Sequence, residues 1–224
     1  MQSLFSSTDV PLKSSPIWQL RYYLLIVLLM MLLAGITLLT SDKTTIHLGI
    51  NEMHSPFADV FFKYWTYVGD GVFVAVAGIL IAVLLFPRYK WLPFWFGATT
   101  LILSGAAAQL LKRLVFADAL RPSAFLSEHS LYFVEGVQIH ASHSFPSGHT
   151  TAAFAFFGFA SLFIGRSRVW LQILFGLSAG LVGYSRMYLS QHFLEDVFAG
   201  MILGSLVFVL LTWIAKKPLS VLNA

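Results

Sequence analysis

Cysteine is absent from the 224 residues, and charge is scarce: Asp, Glu, Lys and Arg together make up 11%. The first absence excludes disulfides and thiolate metal sites, and is compatible with either side of a membrane. The second lies well below the roughly one quarter usual in soluble domains. With 58% hydrophobic residues and a mean hydropathy of +0.78, the shortfall in charge excludes an ordinary soluble domain and indicates a membrane protein. Internal repeats, low-complexity tracts and a separable soluble domain are also missing. The formal charge of +4 and pI near 9.4 do not indicate a nucleic-acid partner. The basic residues stand in pairs beside apolar runs and form no patch or stripe.

What is present is a series of apolar runs. A span needs roughly 20 mostly apolar residues. Six stretches qualify, some only with their flanks: Tyr22 to Thr40, Gly71 to Phe86, Trp91 to Leu111, Thr150 to Gly165, Val169 to Tyr184, and about Phe193 to Ile214. The first is too long for a signal peptide and follows a polar stretch, so it reads as a retained span. The fold expected is all-α: a polytopic membrane bundle of six transmembrane helices over residues 22–217. A segment at 1–21 and a tail at 218–224 flank it, and both are expected to be cytoplasmic. The connecting loops on the other side fall at about 41–70, 112–149 and 185–192. The first of these holds "NEMHSPFADVFFKYWTYVGD", whose aromatics and charges suit a helix lying at the interface. Gly176/Gly180 and Gly200/Gly204 have the spacing that lets helices approach closely.

Six spans put both termini on one side, and Lys and Arg decide which. Lys13, Arg21, Arg88, Lys90, Arg166, Arg168, Lys216 and Lys217 gather at the terminal side; Lys43, Lys63, Lys112, Arg113, Arg121 and Arg186 gather at the other. The first set is larger, and its members read as plain anchors. The termini are therefore expected in the cytoplasm and the long loops outside.

Three polar clusters abut span ends on that outer side. One is Lys112 and Arg113, followed by Arg121-Pro122. The second is "PSGH", Pro146 to His149. A helix N-terminus offers unpaired N–H groups and a partial positive charge. Gly148 admits an anion close to the backbone, and Ser147 adds a hydroxyl, so the motif reads as an anion cradle. The third is "SRMYLSQHFLED", Ser185 to Asp196. His192 and Asp196 are four residues apart, which on a helix places both on one face. A carboxylate bonded to one ring nitrogen fixes the tautomer and frees the other as base or nucleophile. Arg186 adds a planar fork suited to phosphate oxygens. Such a set matches a phosphoryl group.

These residues resemble the type 2 phosphatidic acid phosphatase superfamily, with motifs K-x6-RP, PSGH and SR-x5-H-x3-D. The second and third match at every position; in the first, eight residues separate Lys112 from Arg121-Pro122 and seven separate Arg113 from it, where the motif has six, and a two-residue insertion with Lys112 as the ligand explains the difference. The resemblance implies that His192 attacks phosphorus to form a phosphohistidine and that Asp196 orients it. It implies that His149 protonates the leaving oxygen and later helps activate water. Lys112, Arg121, Ser147, Gly148 and Arg186 would hold the phosphate oxygens, with Arg113 as a surface anchor. It implies no metal and no cofactor, in keeping with the lack of a carboxylate cluster in the outer loops. His140 and His143, near His149, have a spacing that would suit a metal site on a helix, but they lie in what reads as loop, so no metal site is expected there; Asp118 and Glu135 are expected as solvated loop charges.

The expected function is an integral membrane hydrolase acting on a lipid phosphate or pyrophosphate at the outer leaflet. Its partners would be the bilayer and the lipid substrate. Undecaprenyl pyrophosphate, phosphatidylglycerol phosphate, phosphatidic acid and lipid A phosphates are the candidate substrates. In a bacterium the site would face the periplasm from the inner membrane. A lipid phosphotransferase would use the same intermediate. A lipid or anion transporter would instead need polar residues at mid-span, where this sequence has almost no charge.

Overall fold

The computed structural model describes residues 15–165 and 167–223. The expected N-terminal segment with Lys13, the anchor Arg166 and the final Ala224 fall wholly or partly outside the described residues. The described chain is helical, in line with the all-α expectation. After a 3-10 turn at Trp18–Leu20, α1 runs Arg21–Thr40. Two short helices follow, α2 Lys43–Asn51 and α3 Pro56–Trp65. Then come α4 Gly71–Tyr89 and α5 Leu92–Leu110, which continues as a π turn to Val115. The single turn α6 covers Pro122–Phe125. Next are α7 Gly148–Ala160 with a π turn to Gly165, α8 Val169–Tyr188, and α9 Leu194–Ile214.

Where one interfacial helix was expected, residues 41–70 form two. Asp42 caps α2 by accepting from the Thr44 and Thr45 amides, and Ser55 with Pro56 starts α3 anew. On α3 the large residues Phe57, Val60 and Tyr64 are exposed, in line with a helix lying in a membrane interface.

Among the described residues, five helices are long and apolar enough to cross a membrane. α8, the other expected span, is not among the five, though it has the length, 20 residues or about 30 Å. It is the most polar of the set because it carries Gln172, Ser178, Ser185 and Arg186, all buried. These polar groups face the bundle, where most find partners; Gln172 accepts from the Tyr22 and Tyr23 amides at 3.2 and 3.3 Å. The outward sides of α1, α4 and α9 carry exposed Leu28, Leu32, Leu84 and Leu210, a surface suited to lipid.

α7 is the central helix. Ten of its thirteen residues are buried, and it packs on α5, α8 and α9. Its phenylalanines join Tyr23, Phe96 and Phe208 in the main core, and the buried Tyr23 hydroxyl donates to the Phe154 carbonyl at 2.6 Å. α9 meets α7 across its glycines. A Cβ on Gly200 would stand 2.8 Å from the Ser147 carbonyl and 2.9 Å from Thr150 Cβ. The small-residue spacing thus brings α9 against the start of α7, and the Ser147 amide donates to the Asp196 carbonyl at 3.0 Å. The N-terminus of the central helix therefore opens into the middle of the bundle at its long-loop end.

At the opposite end the basic residues lie over aromatic rings: Arg21 over Tyr22 at 4.7 Å, Arg88 over Tyr89 at 5.2 Å, Lys216 over Trp213 at 5.6 Å. Such pairs anchor helix ends at an interface.

Candidate active site

The three clusters, far apart in sequence, line one cavity of about 420 Å³. Lys112, Arg121, Gly148, His149, Arg186 and His192 all contribute to its wall. Asp196 stands behind His192, and Ser147 is fully buried beneath the cavity as the N-cap of α7. Its hydroxyl accepts from Thr150 Oγ1 at 2.8 Å.

Lys112 sits in the π turn that closes α5 and faces the cavity, whereas Arg113 is exposed outside it. A π turn holds more residues than an α turn, so part of the long interval before Arg121 is taken up within the helix end. The wall above Lys112 includes Gly105, Ala108 and Gln109. Positions 105, 108, 109 and 112 fall on one helical face. That periodicity was available in the sequence and would have found Gln109.

Arg121 begins the short α6, and its side chain is 9% exposed. It donates to the Ser142 carbonyl at 2.9 Å and to the Gln191 backbone and side-chain oxygens at 3.0 and 3.1 Å. Arg186, on the last turn of α8, is 8% exposed and donates to Thr66 Oγ1 at 2.8 Å. It also reaches Gln191 Oε1 at 3.4 Å, while its Nε has no partner. Gln191 thus bridges the two guanidinium groups. Among the described residues no carboxylate forms a salt bridge with Lys112, Arg121 or Arg186. Buried cations without counter-ions are costly, by several kcal/mol each on the order of magnitude. The arrangement is built to receive an anion.

The reading of His192 and Asp196 as two positions on one helical face needs correction. α8 ends at Tyr188 and α9 begins at Leu194, with a turn between. The Leu189 amide bonds to the Ser185 carbonyl and the Gln191 and His192 amides both bond to that of Arg186, which wraps the chain off the helix end. Ser190 takes a left-handed φ of 52°. His192 and Asp196 still meet, by a different route. Asp196 is the third residue of α9, and its Oδ2 accepts from the Phe193 amide at 2.9 Å and from His192 Nδ1 at 3.2 Å. A side chain that caps a helix start lies beside the residues just before it. The Ser144 hydroxyl donates to the same carboxylate oxygen.

The His192 imidazole is 1% exposed, and burial, then Arg121, Arg186 and Lys112, hold its pKa well below the usual 6.5. It is neutral at pH 7. With Nδ1 turned to Asp196, Nε2 is the nitrogen left for chemistry. His149, second residue of α7, has Nε2 3.9 Å from Asp70 Oδ2. Asp70 itself caps α4 through the Val72 amide at 2.8 Å.

His140, read from sequence only as a loop residue, lines the cavity; burial and then Arg121 lower its pKa. Its main chain is held there by Ser123, whose hydroxyl donates to the His140 carbonyl at 2.8 Å. His143 is not part of the wall. Among the described residues, no group of three or more His, Asp or Glu side chains is placed to hold a metal ion.

Comparison with known proteins agrees with this architecture. The model of the PAP2 superfamily matches residues 93–219. The lipid A 1-phosphatase of Rhizobium etli is 37% identical over 114 residues, 49% of this chain and 46% of that protein. The undecaprenyl-diphosphatase BcrC of Bacillus subtilis is 32% identical over 141 residues, 63% of this chain and 68% of that protein. The chain spans about half the length of the first of these relatives. A crystal structure of a transmembrane PAP2-type phosphatidylglycerolphosphate phosphatase from Bacillus subtilis aligns with a TM-score of 0.60 at 22% identity. That alignment covers 91% of this chain and 96% of that one, and it speaks for a shared membrane fold.

Proposed function

The chain belongs to the PAP2 superfamily, and from that membership we propose that it is an integral membrane hydrolase that removes phosphate from a lipid phosphate or diphosphate at the outer leaflet. The observation that carries the reading is the cavity itself. Three cations without carboxylate partners share it with a neutral imidazole backed by a buried carboxylate.

In the proposed reaction the phosphoryl oxygens bind Lys112, Arg121, Arg186 and the amides at the start of α7. The cations then offset the charge that spreads over those oxygens as the bond to the leaving group breaks. His192 Nε2 attacks phosphorus, forming the N–P bond as the P–O bond to the leaving group breaks. Asp196 balances the positive charge that the ring acquires. His149 gives its proton to the departing oxygen and is then a base. Water attacks the phosphohistidine, its proton passes to His149, the N–P bond breaks, and inorganic phosphate leaves. Asp70 Oδ2 lies 3.9 Å from His149 Nε2, on the side of the ring that would carry this proton.

A lipid substrate is supported by the rest of the wall. Gly71, Gly105, Ala108 and Ala152 give it a small-residue side where α4, α5 and α7 meet. Deeper along the α4–α5 seam lies an apolar cavity of about 240 Å³, lined by Gly78, Ala82, Gly97 and Leu101 among others. A headgroup can enter the polar cavity while its tail stays in apolar surroundings.

The relatives are named for different headgroups, so substrate choice is tested directly. Purified protein in detergent is offered undecaprenyl pyrophosphate, phosphatidylglycerol phosphate, phosphatidic acid and lipid A, with and without an acceptor lipid. Free phosphate is expected from at least one without an acceptor. H192A is expected to abolish it while the protein still folds. Release that requires the acceptor would point to phosphotransfer, and near-normal turnover by H192A would overturn the nucleophile assignment.

A further inference from the structure

One buried polar group of residues lies outside the cavity, on the other side of the turn that carries His192. His47 and Asn51, one helical turn apart on α2, are 1% and 7% exposed. Both reach the Ser190 hydroxyl, each at 3.2 Å: His47 through Nε2 and Asn51 through Nδ2. Ser190 is fully buried and is the residue with the left-handed φ of 52°. A non-glycine residue keeps that conformation only when its surroundings hold it. The His47 ring also stands edge-on to Phe193, with centroids 5.3 Å apart. His47 therefore touches the chain two residues before His192 and one residue after it.

Asn51 extends the tie. Its Nδ2 donates to the Tyr132 carbonyl and its Oδ1 accepts from the Tyr132 amide, both at 2.8 Å. This two-point bond fixes the amide plane, so the direction of its donor to Ser190 is set. Helix α3 adds a second hold. Asp59 accepts from the hydroxyl of Tyr132 at 2.6 Å and from that of Tyr188, the last residue of α8. The α2–α3 pair thus grips both the end of α8 and the turn beyond it.

We propose that His47 and Asn51 are positioning residues for the nucleophile, acting through the Ser190 hydroxyl to hold the turn 189–193 so that His192 Nε2 faces the bound phosphoryl group. The assignment rests on the reading of His192 as nucleophile. Neither residue lines the cavity, so neither touches substrate. The cations come from other elements: Lys112 from α5, Arg121 from α6, Arg186 from α8 itself. Gln191 in the turn bonds to both arginines, but Arg121 keeps its bond to Ser142 and Arg186 its bond to Thr66, so loosening the turn misdirects the attacking nitrogen more than it weakens anion binding. An error of about 1 Å in such a geometry costs on the order of a hundredfold in rate.

The test compares N51L, H47F and H47Q. Phenylalanine keeps the ring against Phe193 without a donor; glutamine keeps a donor near the position of Nε2. Turnover is normalised to the sites that bind inorganic phosphate by calorimetry, which separates a poorly folded sample from a misaligned one. The expected result is a kcat about ten- to a hundredfold lower for N51L and H47F, with KM and phosphate affinity changed less than about threefold. H47Q is expected to recover most of the rate. An unchanged kcat per binding site, or a rise in KM alone, overturns the proposal. The ring nitrogens of His192, read by 15N NMR of histidine-labelled protein and assigned with H192A, give an arm that needs no turnover. They are expected to shift or broaden in N51L, and unchanged His192 signals refute the role. A wild-type protein that releases no phosphate from any lipid sinks the phosphatase reading instead, and the NMR arm still decides the positioning claim.

Discussion

Substituting Asn for Asp196 isolates the charge behind the proposed nucleophile. Asp196 is 2% exposed, and its Oδ2 accepts from His192 Nδ1 at 3.2 Å, from the Phe193 amide at 2.9 Å and from Ser144. Asn has nearly the same shape. Its oxygen still serves the backbone amide and the hydroxyl, so the first turn of α9 is retained. The lost quantity is electrostatic. In the proposed attack the His192 ring becomes cationic as it bonds to phosphorus, and a full unit charge 3.2 Å from the carboxylate is worth about 5 kcal/mol at an effective dielectric near 20. Charge transfer in the transition state is partial, so the expected loss is about 3–4 kcal/mol, or roughly 10²–10³-fold in kcat. Rapid-quench phosphate release in detergent measures the rate, and calorimetry with inorganic phosphate measures binding, expected within about threefold of wild type. A D196N kcat within about tenfold of wild type would refute the idea that this carboxylate supports a cationic phosphohistidine.

Other outcomes follow from the same geometry. A Cβ added at Gly148 meets nothing within 4 Å, so G148A is expected to fold with unchanged or slightly raised thermal stability while its methyl occupies the anion's approach to the backbone; unchanged phosphate affinity would remove the helix start from the binding site. Activity is expected to survive EDTA, because Lys112, Arg121 and Arg186 supply the positive charge; loss on chelation, restored by magnesium or zinc, would count against this. Acid is expected to destabilise the protein. Burial, opposed by the nearby Asp196, pushes His47 down to about 4 from 6.5, so below pH 6.5 the unfolded chain binds a proton that the folded one refuses. The stability is present above pH 6.5 and lost as pH falls, by about 2 kcal/mol from this residue between pH 6.5 and 5, and His192 acts in the same direction. A thermal midpoint that stays level from pH 7 to 5 would contradict the buried neutral imidazoles, and H47Q should flatten the slope.

The helices and most cavity residues were legible because both signals are local. An apolar run long enough to span announces itself within about 20 residues, and PSGH and SR-x5-H-x3-D keep their meaning at fixed spacing. The path of the chain between Tyr188 and Leu194 was not legible. Spacing of four is met equally by a continuous helix and by a turn that delivers His192 to a capping Asp196. The choice was made by Ser190, whose left-handed backbone is held by α2, a helix about 140 residues earlier in the chain. The interfacial segment likewise held a break, since Ser55-Pro56 is a strong helix start inside what composition reads as one amphipathic stretch.

By itself the sequence determined that this is a helical membrane chain with anion-binding helix ends and a histidine–carboxylate pair. Each of those follows from residue types within a few turns of one another. Only tertiary structure decided that Lys112 and not Arg113 faces the cavity, that Gln191 bridges Arg121 and Arg186, that His140 joins the wall, and that His47, Asn51 and Asp59 bond to the end of α8 and the turn that carries His192. The physical reason is that a side chain's neighbours across the bundle are set by how buried helices pack around α7. A linear pattern carries no term for contacts between residues more than a hundred positions apart.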